Sequence, residues 1–290
     1  MSTLKLTFVL PVLGKQEELD RFLEPLHGFK QDGSWELIVV DDHSPTPLMV
    51  EEGAWQLIRT QERSGAARCR NAGADRARGE YLVFLSSFLV IPDDYLEKLR
   101  RFTEENDFEY AQHPLVVAEG VSVDHFQSFL GNQVQRVSGS AGLSIKQSLF
   151  TSALIKRSVF EDLGGFDADM QHYGGHELDL IYRLEKAGYR KRLMIKSIPL
   201  GRNSVSDESR TRSRLQEYGS SGLPNLLAKH PELKGVVLPL DMLWKPFWLF
   251  GLTRLLESII RSKIETNLKL PQIIYRLYLH LVVRNAWENR

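Results

Sequence analysis

The chain has 290 residues, of which 42% are hydrophobic and 26% are charged, and its formal net charge is zero. This balance is typical of a soluble globular protein, and the zero net charge gives no overall attraction to nucleic acid. The single cysteine, Cys69, excludes an internal disulfide framework and indicates a reducing compartment. The sequence has neither a run of about 20 apolar residues nor a signal-peptide core, so we expect a cytoplasmic protein.

Short apolar runs alternate with amphipathic segments in the first part of the chain. Strands are predicted at 4–10, 35–40, 55–58 and 82–85, and helices at 16–26 and 66–78, with a third helix starting at Pro92. This alternation predicts a doubly wound α/β fold with a mostly parallel sheet. No G-x-G-x-x-G turn follows the first strand, which disfavours a dinucleotide-binding dehydrogenase.

The alternation of strand and helix signals is weaker in the second part of the chain. Strands are predicted at 108–117, 149–155 and 191–198 (the last strand of the chain), with helices at 157–163 and 177–187. Residues 118–148 are rich in Gly, Ser and Gln and are expected to cover the site as a mobile connection. From Asp207 the chain has helical signals alone. We therefore divide it into a nucleotide-sugar-binding and catalytic domain, 1–206, and a helical extension, 207–290, which binds a membrane or a partner.

Ligands of open α/β sheets bind beyond the carboxyl ends of the central strands. Asp41 and Asp42 follow one such strand and could accept hydrogen bonds from a base or a ribose, although aspartates there also serve as turn or helix-cap residues. Ser86, Ser87 and Phe88 follow the central strand and are uncharged. All five positions are therefore candidates for contact with a ligand.

Three arginines, Arg63, Arg68 and Arg70, surround the predicted helix start at Gly65. A helix N-terminus and arginine side chains both favour phosphate, although a solvated basic face would have the same composition. Because neighbouring helical positions point in different directions, at most two of these arginines can reach one phosphate.

The segment 174–177, GGHE, opens another helix. Gly174 and Gly175 would let the backbone pass close to an acceptor, with His176 beside it, while the helix dipole favours an ionised Glu177 that could act as a general base. Asp179, the second choice for the base, lies about 200° from Glu177 around a helix, so the two are not expected to share one site.

Four stretches occur in a fixed order: FVLPVLGKQEELDRFLEPL, WELIVVDDHS, SGAARCRNAGADRARGEYLVFLSS and LGGFDADMQHYGGHELDLIYRLEKAGYR. Together, over about residues 4–192, they resemble a family 2 glycosyltransferase with a GT-A fold. The last stretch also resembles the catalytic segment of galactosyl- and N-acetylgalactosaminyltransferases. The resemblance implies a hexosyltransferase of polysaccharide biosynthesis, with inversion. It would use a nucleotide-sugar donor, UDP-sugar favoured, and a glycan or lipid-linked acceptor.

The resemblance also implies roles for individual residues. Glu177 falls where the family's acidic pair supplies the base, with His176 in place of the first acid, and Cys69 takes an alanine position of the G-x-x-x-A-R-N element. The turn at 11–12 and an aspartate of the 41–42 pair would border the nucleotide. The predicted donor-binding residues are Pro11, Val12, Asp41, Asp42, Gly65, Arg68, Arg70, Asn71, Ser86 and Ser87.

One departure from the family concerns the metal. The family has an Asp-x-Asp motif that binds Mn²⁺ or Mg²⁺, whereas this chain has residues 86–88, SSF, and Asn203 lies in the region of a histidine that often joins the metal. Hard cations prefer carboxylates, so the metal ligands are missing. Either arginines, including Arg202, neutralise the diphosphate in a metal-independent enzyme, or a degenerate member binds a sugar, a nucleotide or a partner without turnover.

The C-terminal residues combine aromatic and basic side chains. The stretch 243–252 reads LWKPFWLFGL, and apolar residues in 269–287 alternate with Arg and His. Such helices could lie on an anionic membrane surface, which would make the protein peripheral on the inner face of the membrane. They could equally cover the catalytic domain or a second copy of the chain.

Overall fold

The computed structural model describes residues 4–29, 32–51, 55–135, 143, 148, 150–170, 173–237 and 250–289. Ten strands are present in these ranges: β1 (Leu6–Val12), β2 (Trp35–Asp41), β3 (Gln56–Arg59), β4 (Tyr81–Phe84), β5 (Leu89–Val90), β6 (Tyr110–Gln112), β7 (Leu115–Val117), β8 (Ala153–Lys156), β9 (Arg192–Met194) and β10 (Leu200–Arg202).

Seven strands form the main sheet in the order β3-β2-β1-β4-β8-β6-β9. Strand β8 is antiparallel to both of its neighbours, and all other pairs in this sheet are parallel. Strands β5, β10 and β7 form a second, small sheet, in which β10 runs antiparallel to β5 and parallel to β7. The predicted α/β class with a mostly parallel sheet is confirmed.

The helices are α1 (Gln16–His27), α2 (Gly65–Ala74), α3 (Tyr95–Glu105), α4 (His125–Gln135), α5 (Arg157–Asp162), α6 (Gly175–Lys186), α7 (Glu208–Glu217), α8 (Leu223–Lys229) and α9 (Lys234–Val237). A π-helical turn, Tyr218–Gly222, joins α7 to α8. Two further helices, Phe250–Glu265 and Gln272–Glu288, are called the C-terminal hairpin below. Within the described ranges, no helix is long and apolar enough to cross a membrane.

The main sheet is buried on both faces because successive side chains of a strand point to opposite sides. Phe8 and Val83 pack with α1 and α3 on one face. Val9 and Leu82 pack with α2, α5 and α6 on the other. This double burial explains why the strands are continuous apolar runs rather than alternating ones.

Strand β1 continues through Pro11 and Val12, so the turn predicted at these two residues is wrong. The carbonyl of Val9 accepts from Leu85 of the β4 side, whereas the carbonyl of Val12 accepts from Asp42 of the β2 side. Because the backbone groups of successive strand residues point alternately to the two neighbouring strands, the nitrogen of Pro11 faces the β4 side. On that side the pairing with β1 has already ended at Phe84. Proline therefore costs the ladder no hydrogen bond at this position.

Residues 108–117 form two strands instead of the predicted single one. Strands β6 and β7 are separated by His113 and Pro114 and belong to different sheets. The prediction that the strand at 191–198 is the last one is also wrong, because β10 follows it and pairs with β7. Within 118–148 the structure contains α4, where an irregular connection was expected; residues 136–142, 144–147 and 149 lie outside the described ranges.

The C-terminal hairpin packs against the rest of the protein. Phe126 and Phe129 of α4 form a common apolar cluster with Tyr275, Tyr278 and other buried residues of the hairpin. The Tyr278 hydroxyl also donates a hydrogen bond to Glu208 of α7. One face of the extension is thus a structural part of the protein, as one of the alternatives considered for this segment predicts.

Candidate functional site

A cleft of about 370 Å³ opens at the carboxyl ends of β1 and β4, where a doubly wound fold binds its ligands. Ser87 and Phe88 line it together with Leu13, which follows β1. Neither Pro11 nor Val12 lines this cleft, and the Val12 side chain lies in the core. Ser86 is adjacent to the cleft, and its carbonyl accepts a hydrogen bond from Leu89 at 3.0 Å in the turn that ends the strand.

Four arginines line the same cleft: Arg21, Arg202, Arg210 and Arg214. In the part of the chain that the structure describes, none of them forms an ion pair; Glu18 is the one carboxylate in the lining. The remaining polar lining consists of Ser87, Asn203, Ser204 and Ser206. The cleft is therefore strongly basic although the whole chain is neutral.

These residues do not fit the divalent cation that the family resemblance implies. A hard cation in a protein is held mainly by carboxylates, and the strand end supplies two hydroxyl groups and a phenyl ring. Among the described residues, no group of three or more His, Cys, Asp or Glu side chains is arranged to hold a metal. Arg202, predicted from sequence as a possible substitute, does lie in this cleft, whereas Arg63, Arg68 and Arg70 do not line it.

Arg70 and Glu177 form an ion pair that joins α2 to the start of α6. The Arg70 guanidinium donates to a Glu177 carboxylate oxygen at 2.9 Å and lies 3.4 Å from Nε2 of His176. It also stacks over the Phe166 ring, 5.3 Å from its centre. The Arg70 side chain is 4% exposed and that of Glu177 is 18% exposed, so an oriented carboxylate is presented at the surface.

Asp42 occupies the helix N-terminus that was predicted to bind phosphate. One of its carboxylate oxygens accepts from the Ser64 backbone amide at 2.7 Å and from the Ser64 hydroxyl at 3.0 Å. The other accepts from the Gly65 amide at 3.1 Å. Since Asp42 already satisfies these donors, the structure assigns α2 a carboxylate cap at the position expected for a donor phosphate.

Asp41 points into the protein rather than towards the cleft. It is fully buried and accepts from the backbone amides of Ser44 at 2.8 Å and Leu48 at 3.3 Å, and it forms an ion pair with Arg59. Burial alone would raise its pKa, but the bonds from Ser44, Leu48 and Arg59 outweigh burial and lower it. The sequence allowed Asp41 to be either a ligand-binding residue or a turn aspartate, and these hydrogen bonds match the turn aspartate.

Two further predicted donor residues hold the loop before α6. The Asn71 side chain donates to the Phe166 carbonyl at 2.8 Å and accepts from the Phe166 amide at 2.9 Å. Arg68 donates to the Ala168 carbonyl at 3.1 Å. These contacts hold the loop before α6. In this structure Arg68 and Asn71, which lie in the segment that matches the family's G-x-x-x-A-R-N element, therefore have a structural role.

Asp179, the second choice for the base, is fully buried and has no access to substrate. Its carboxylate bonds to Arg183 at 2.6 Å, to His230 Nε2 at 2.8 Å and to Lys229 at 2.9 Å. Burial would raise its pKa, but these partners outweigh it, and the pKa is lowered. The carboxylate thus ties α6 to α8, a structural position that does not match the predicted role of a base.

The two glycines before Glu177 make room for the C-terminal extension, where contact with an acceptor was expected. Gly174 has φ +90°, and a Cβ there would lie 2.7 Å from the Tyr218 ring. A Cβ on Gly175 would lie 3.0 Å from the carbonyl oxygen of Gly222. The π-helical turn therefore packs directly on the segment that carries His176 and Glu177.

Helix α7 supplies residues that were missed from the sequence. Arg214 lines the cleft, donates to the Ser206 hydroxyl at 3.4 Å and stacks over the Tyr173 ring at 5.4 Å. The sequence does contain a signal for a basic helix face, because Arg210 and Arg214 are four residues apart on a helix and share one face. Their position relative to β4 could not be deduced, since it depends on how the extension folds back.

Comparisons with known proteins identify the family of the chain. Residues 7–164, more than half of the chain, match the model of Glycosyl transferase family 2. Polypeptide N-acetylgalactosaminyltransferase 13 of Rattus norvegicus is 25% identical over 185 residues, which cover 53% of this chain and 33% of that protein. The matched stretch thus spans about a third of this relative's length.

Two solved structures superpose over nearly the whole chain. The mannosyltransferase PcManGT from Pyrobaculum calidifontis, in complex with GDP-Man and Mn²⁺, gives a TM-score of 0.57 at 15% identity, covering 99% of this chain and 88% of that one. TarS 1-349 of S. aureus, in complex with UDP, gives 0.53 at 13% identity, covering 98% and 90%. The similarity concerns the fold, and it confirms the predicted GT-A architecture.

Proposed function

Because the chain belongs to glycosyl transferase family 2, we propose that it transfers a hexose from a nucleotide-sugar donor to a hydroxyl group with inversion, and without a divalent cation. A UDP-sugar is favoured from the family resemblance; the TarS structure contains UDP, whereas the PcManGT structure contains GDP-Man, so both donor classes enter the test. The observation that carries the proposal is the partly exposed Glu177 carboxylate, which Arg70 orients through a hydrogen bond of 2.9 Å.

In the proposed reaction, Glu177 takes the proton from the acceptor hydroxyl while its oxygen attacks the anomeric carbon. The bond between that carbon and the diphosphate breaks, and its electron pair leaves with the nucleoside diphosphate. Arg70 holds the carboxylate through the 2.9 Å hydrogen bond, so that its second oxygen remains available to the acceptor. Tyr173, against which the cleft residue Arg214 stacks, is four residues before Glu177 and links the base to the donor side.

The test is hydrolysis of a panel of UDP- and GDP-sugars by the full chain, in which water takes the place of the acceptor. Loss of a general base lowers rates by about 10²–10⁴-fold, and we expect this loss for Glu177→Gln with its best donor. Glu97→Gln, which removes an exposed carboxylate that pairs with Arg101 on α3, is the matched control. Equal rates for both variants would contradict the role of Glu177, and no turnover of any donor by the wild type would favour the degenerate alternative.

We further propose that the C-terminal hairpin places the enzyme on the inner, anionic face of a membrane, near a lipid-linked or glycan acceptor. Exposed apolar side chains recur at three- and four-residue spacing on its first helix, with Leu255 56% and Ile259 48% exposed. On the second helix Ile273 is 67% exposed. Exposed basic residues, among them Arg254 and Lys263, accompany them, a combination that suits an anionic lipid surface.

This proposal is tested with full-length protein, because the hairpin also packs on α4 and α7 and a truncated chain would lose that core. The double variant Leu255→Ser/Ile259→Ser is expected to reduce binding to phosphatidylglycerol vesicles by roughly tenfold. Met49→Ser, which removes a 69% exposed apolar side chain far along the sequence from the hairpin, is the control. Unchanged vesicle binding together with a lower molecular mass by light scattering would instead identify the face as a contact between two copies.

A further inference from the structure

We propose that the donor's diphosphate is bound by the cleft arginines, with Arg202 and Arg214 as the principal ligands, in place of the cation used by metal-dependent relatives. The inference rests on the proposed function and names the groups that would make it possible without a metal. It starts from the disagreement described above: the strand end lacks carboxylates, yet a basic cleft lies at the same place.

The small sheet brings Arg202 to the end of the central strand. Arg202 of β10 lies opposite Leu89 of β5, and the Asn203 amide donates to the Phe88 carbonyl at 2.9 Å. Because β5 follows β4 after a four-residue turn, this pairing fixes Arg202 beside the Ser86–Phe88 position. A ligand at the carboxyl end of β4 would therefore meet a guanidinium.

Arg202 differs from the other three cleft arginines in its surroundings. Its Nε and Nη2 atoms are buried and have no hydrogen-bond partner within the described part of the chain. Burial also lowers the pKa of Arg202, in keeping with a charge removed from water without compensation. The Arg202 side chain is half-buried and lines the cleft, so a phosphate bound there would supply the compensating negative charge that the described residues do not.

The other arginines approach from α1 and from α7. Asp207 caps α7 by accepting from the Arg210 amide at 2.8 Å, and Arg214 is held by Ser206 and by the Tyr173 ring. Counting Arg21, the described residues give the cleft four positive side chains and one negative one, Glu18, a net charge of 4 − 1 = +3. This excess suits a diphosphate, whose negative charge increases as the sugar leaves.

The chemistry of arginine fits that task. A guanidinium donates two parallel hydrogen bonds to phosphate oxygens and stays ionised at any relevant pH. Fixed donors aimed at the oxygen that gains charge stabilise the transition state, which is the function that a bridging cation performs elsewhere. The C–O bond that breaks leaves its electron pair on the diphosphate, and the cleft arginines neutralise that charge.

The test compares the binding of UDP, GDP, uridine and guanosine by calorimetry in EDTA, for the wild type and for Arg202→Gln, Arg214→Gln and Arg210→Gln. Loss of a hydrogen bond to a charged group weakens binding by about 10-fold or more, and we expect this for UDP with the first two variants, with a smaller loss for the exposed Arg210. Uridine binding is expected to change by less than about twofold, because it has no diphosphate. Arg202→Lys, which keeps the charge, is expected to recover part of the loss.

Arg101→Gln, on α3 and paired with Glu97, controls for the loss of one exposed positive charge. UDP affinity that is unchanged in both Arg202→Gln and Arg214→Gln would overturn this inference and leave the transferase proposal standing. UDP binding that requires Mn²⁺ in the wild type would overturn this inference together with the metal independence of the proposed function, and would leave only the sugar transfer itself. Binding of neither nucleoside diphosphate nor nucleoside to the wild type would instead overturn the proposed function. If Arg202→Gln or Arg214→Gln melts far below the wild type, the comparison uses Arg210→Gln in its place, because the Arg210 side chain is exposed.

Discussion

Replacement of Gly222 by alanine tests whether the C-terminal extension positions the segment that carries Glu177, the proposed base. Gly222 lies in the π-helical turn, and a Cβ there would be 2.4 Å from the carbonyl oxygen of Tyr173. The neighbouring atom belongs to the backbone, so it cannot move without moving the segment that leads to Glu177. An ordinary carbon–oxygen contact is about 3.4 Å, which requires a displacement of about 1 Å.

The magnitude follows from this displacement. Overpacking of this kind costs about 1–3 kcal/mol, while alanine for glycine in a helix returns up to about 1 kcal/mol, so we expect the free energy of unfolding to fall by about 1–2 kcal/mol. A shift of about 1 Å in a catalytic group can lower turnover by about 10²-fold. The assay pairs urea denaturation with donor hydrolysis.

Gly235→Ala is the matched control, since a Cβ on Gly235 of α9 would meet nothing within 4 Å. We expect it to keep full turnover and to be as stable as the wild type or slightly more so. If Gly222→Ala behaved like Gly235→Ala in both measurements, the extension would not hold the catalytic segment, and the role assigned to the π-helical turn would be refuted.

Two further predictions concern stability. Asp179→Asn leaves Arg183, Lys229 and His230 without their buried carboxylate partner and is expected to lower the free energy of unfolding by about 3–5 kcal/mol; a loss below about 1 kcal/mol would show that this cluster does not anchor α6. Burial lowers the pKa of His113 to about 4 from its ordinary 6.5, so the unfolded chain binds a proton first as the pH falls. The contribution of His113 to the free energy of unfolding should therefore decrease by about 2 kcal/mol between pH 7.5 and 5. In urea titrations, the stability of His113→Gln should fall by about 2 kcal/mol less over this pH range than the stability of the wild type. An equal fall in both proteins would contradict this role of His113.

The central α/β fold could be predicted because its signals are local. Apolar runs mark β1, β2 and β4, and helix α1 shows the spacing of an amphipathic helix within a few residues of its observed bounds. The small sheet could not be predicted in the same way, because β5, β7 and β10 have two or three residues each and exist only through pairing with distant partners. Pro114, which separates β6 from β7, was the one local sign of that division.

The candidate site likewise contains residues that could be predicted from local signals and residues that could not. Glu177 and Arg70 were selected from their places at helix starts, and the structure brings them to 2.9 Å from each other. The partners of Asp42 and Asp41 were not readable, since each carboxylate bonds to donors that come from elsewhere in the tertiary structure. Arg214 was missed for the same reason: its helix belongs to an extension whose docking position no local pattern encodes.

The central claim is that this family 2 glycosyltransferase moves a hexose without a divalent cation. Its most direct test is the rate of donor hydrolysis by the metal-stripped full chain, measured in excess EDTA and again with added Mn²⁺. We expect rates that agree within about twofold, because the cleft arginines are proposed to take the place of the cation at the diphosphate. Activity that disappears in EDTA and returns with Mn²⁺ would contradict the account.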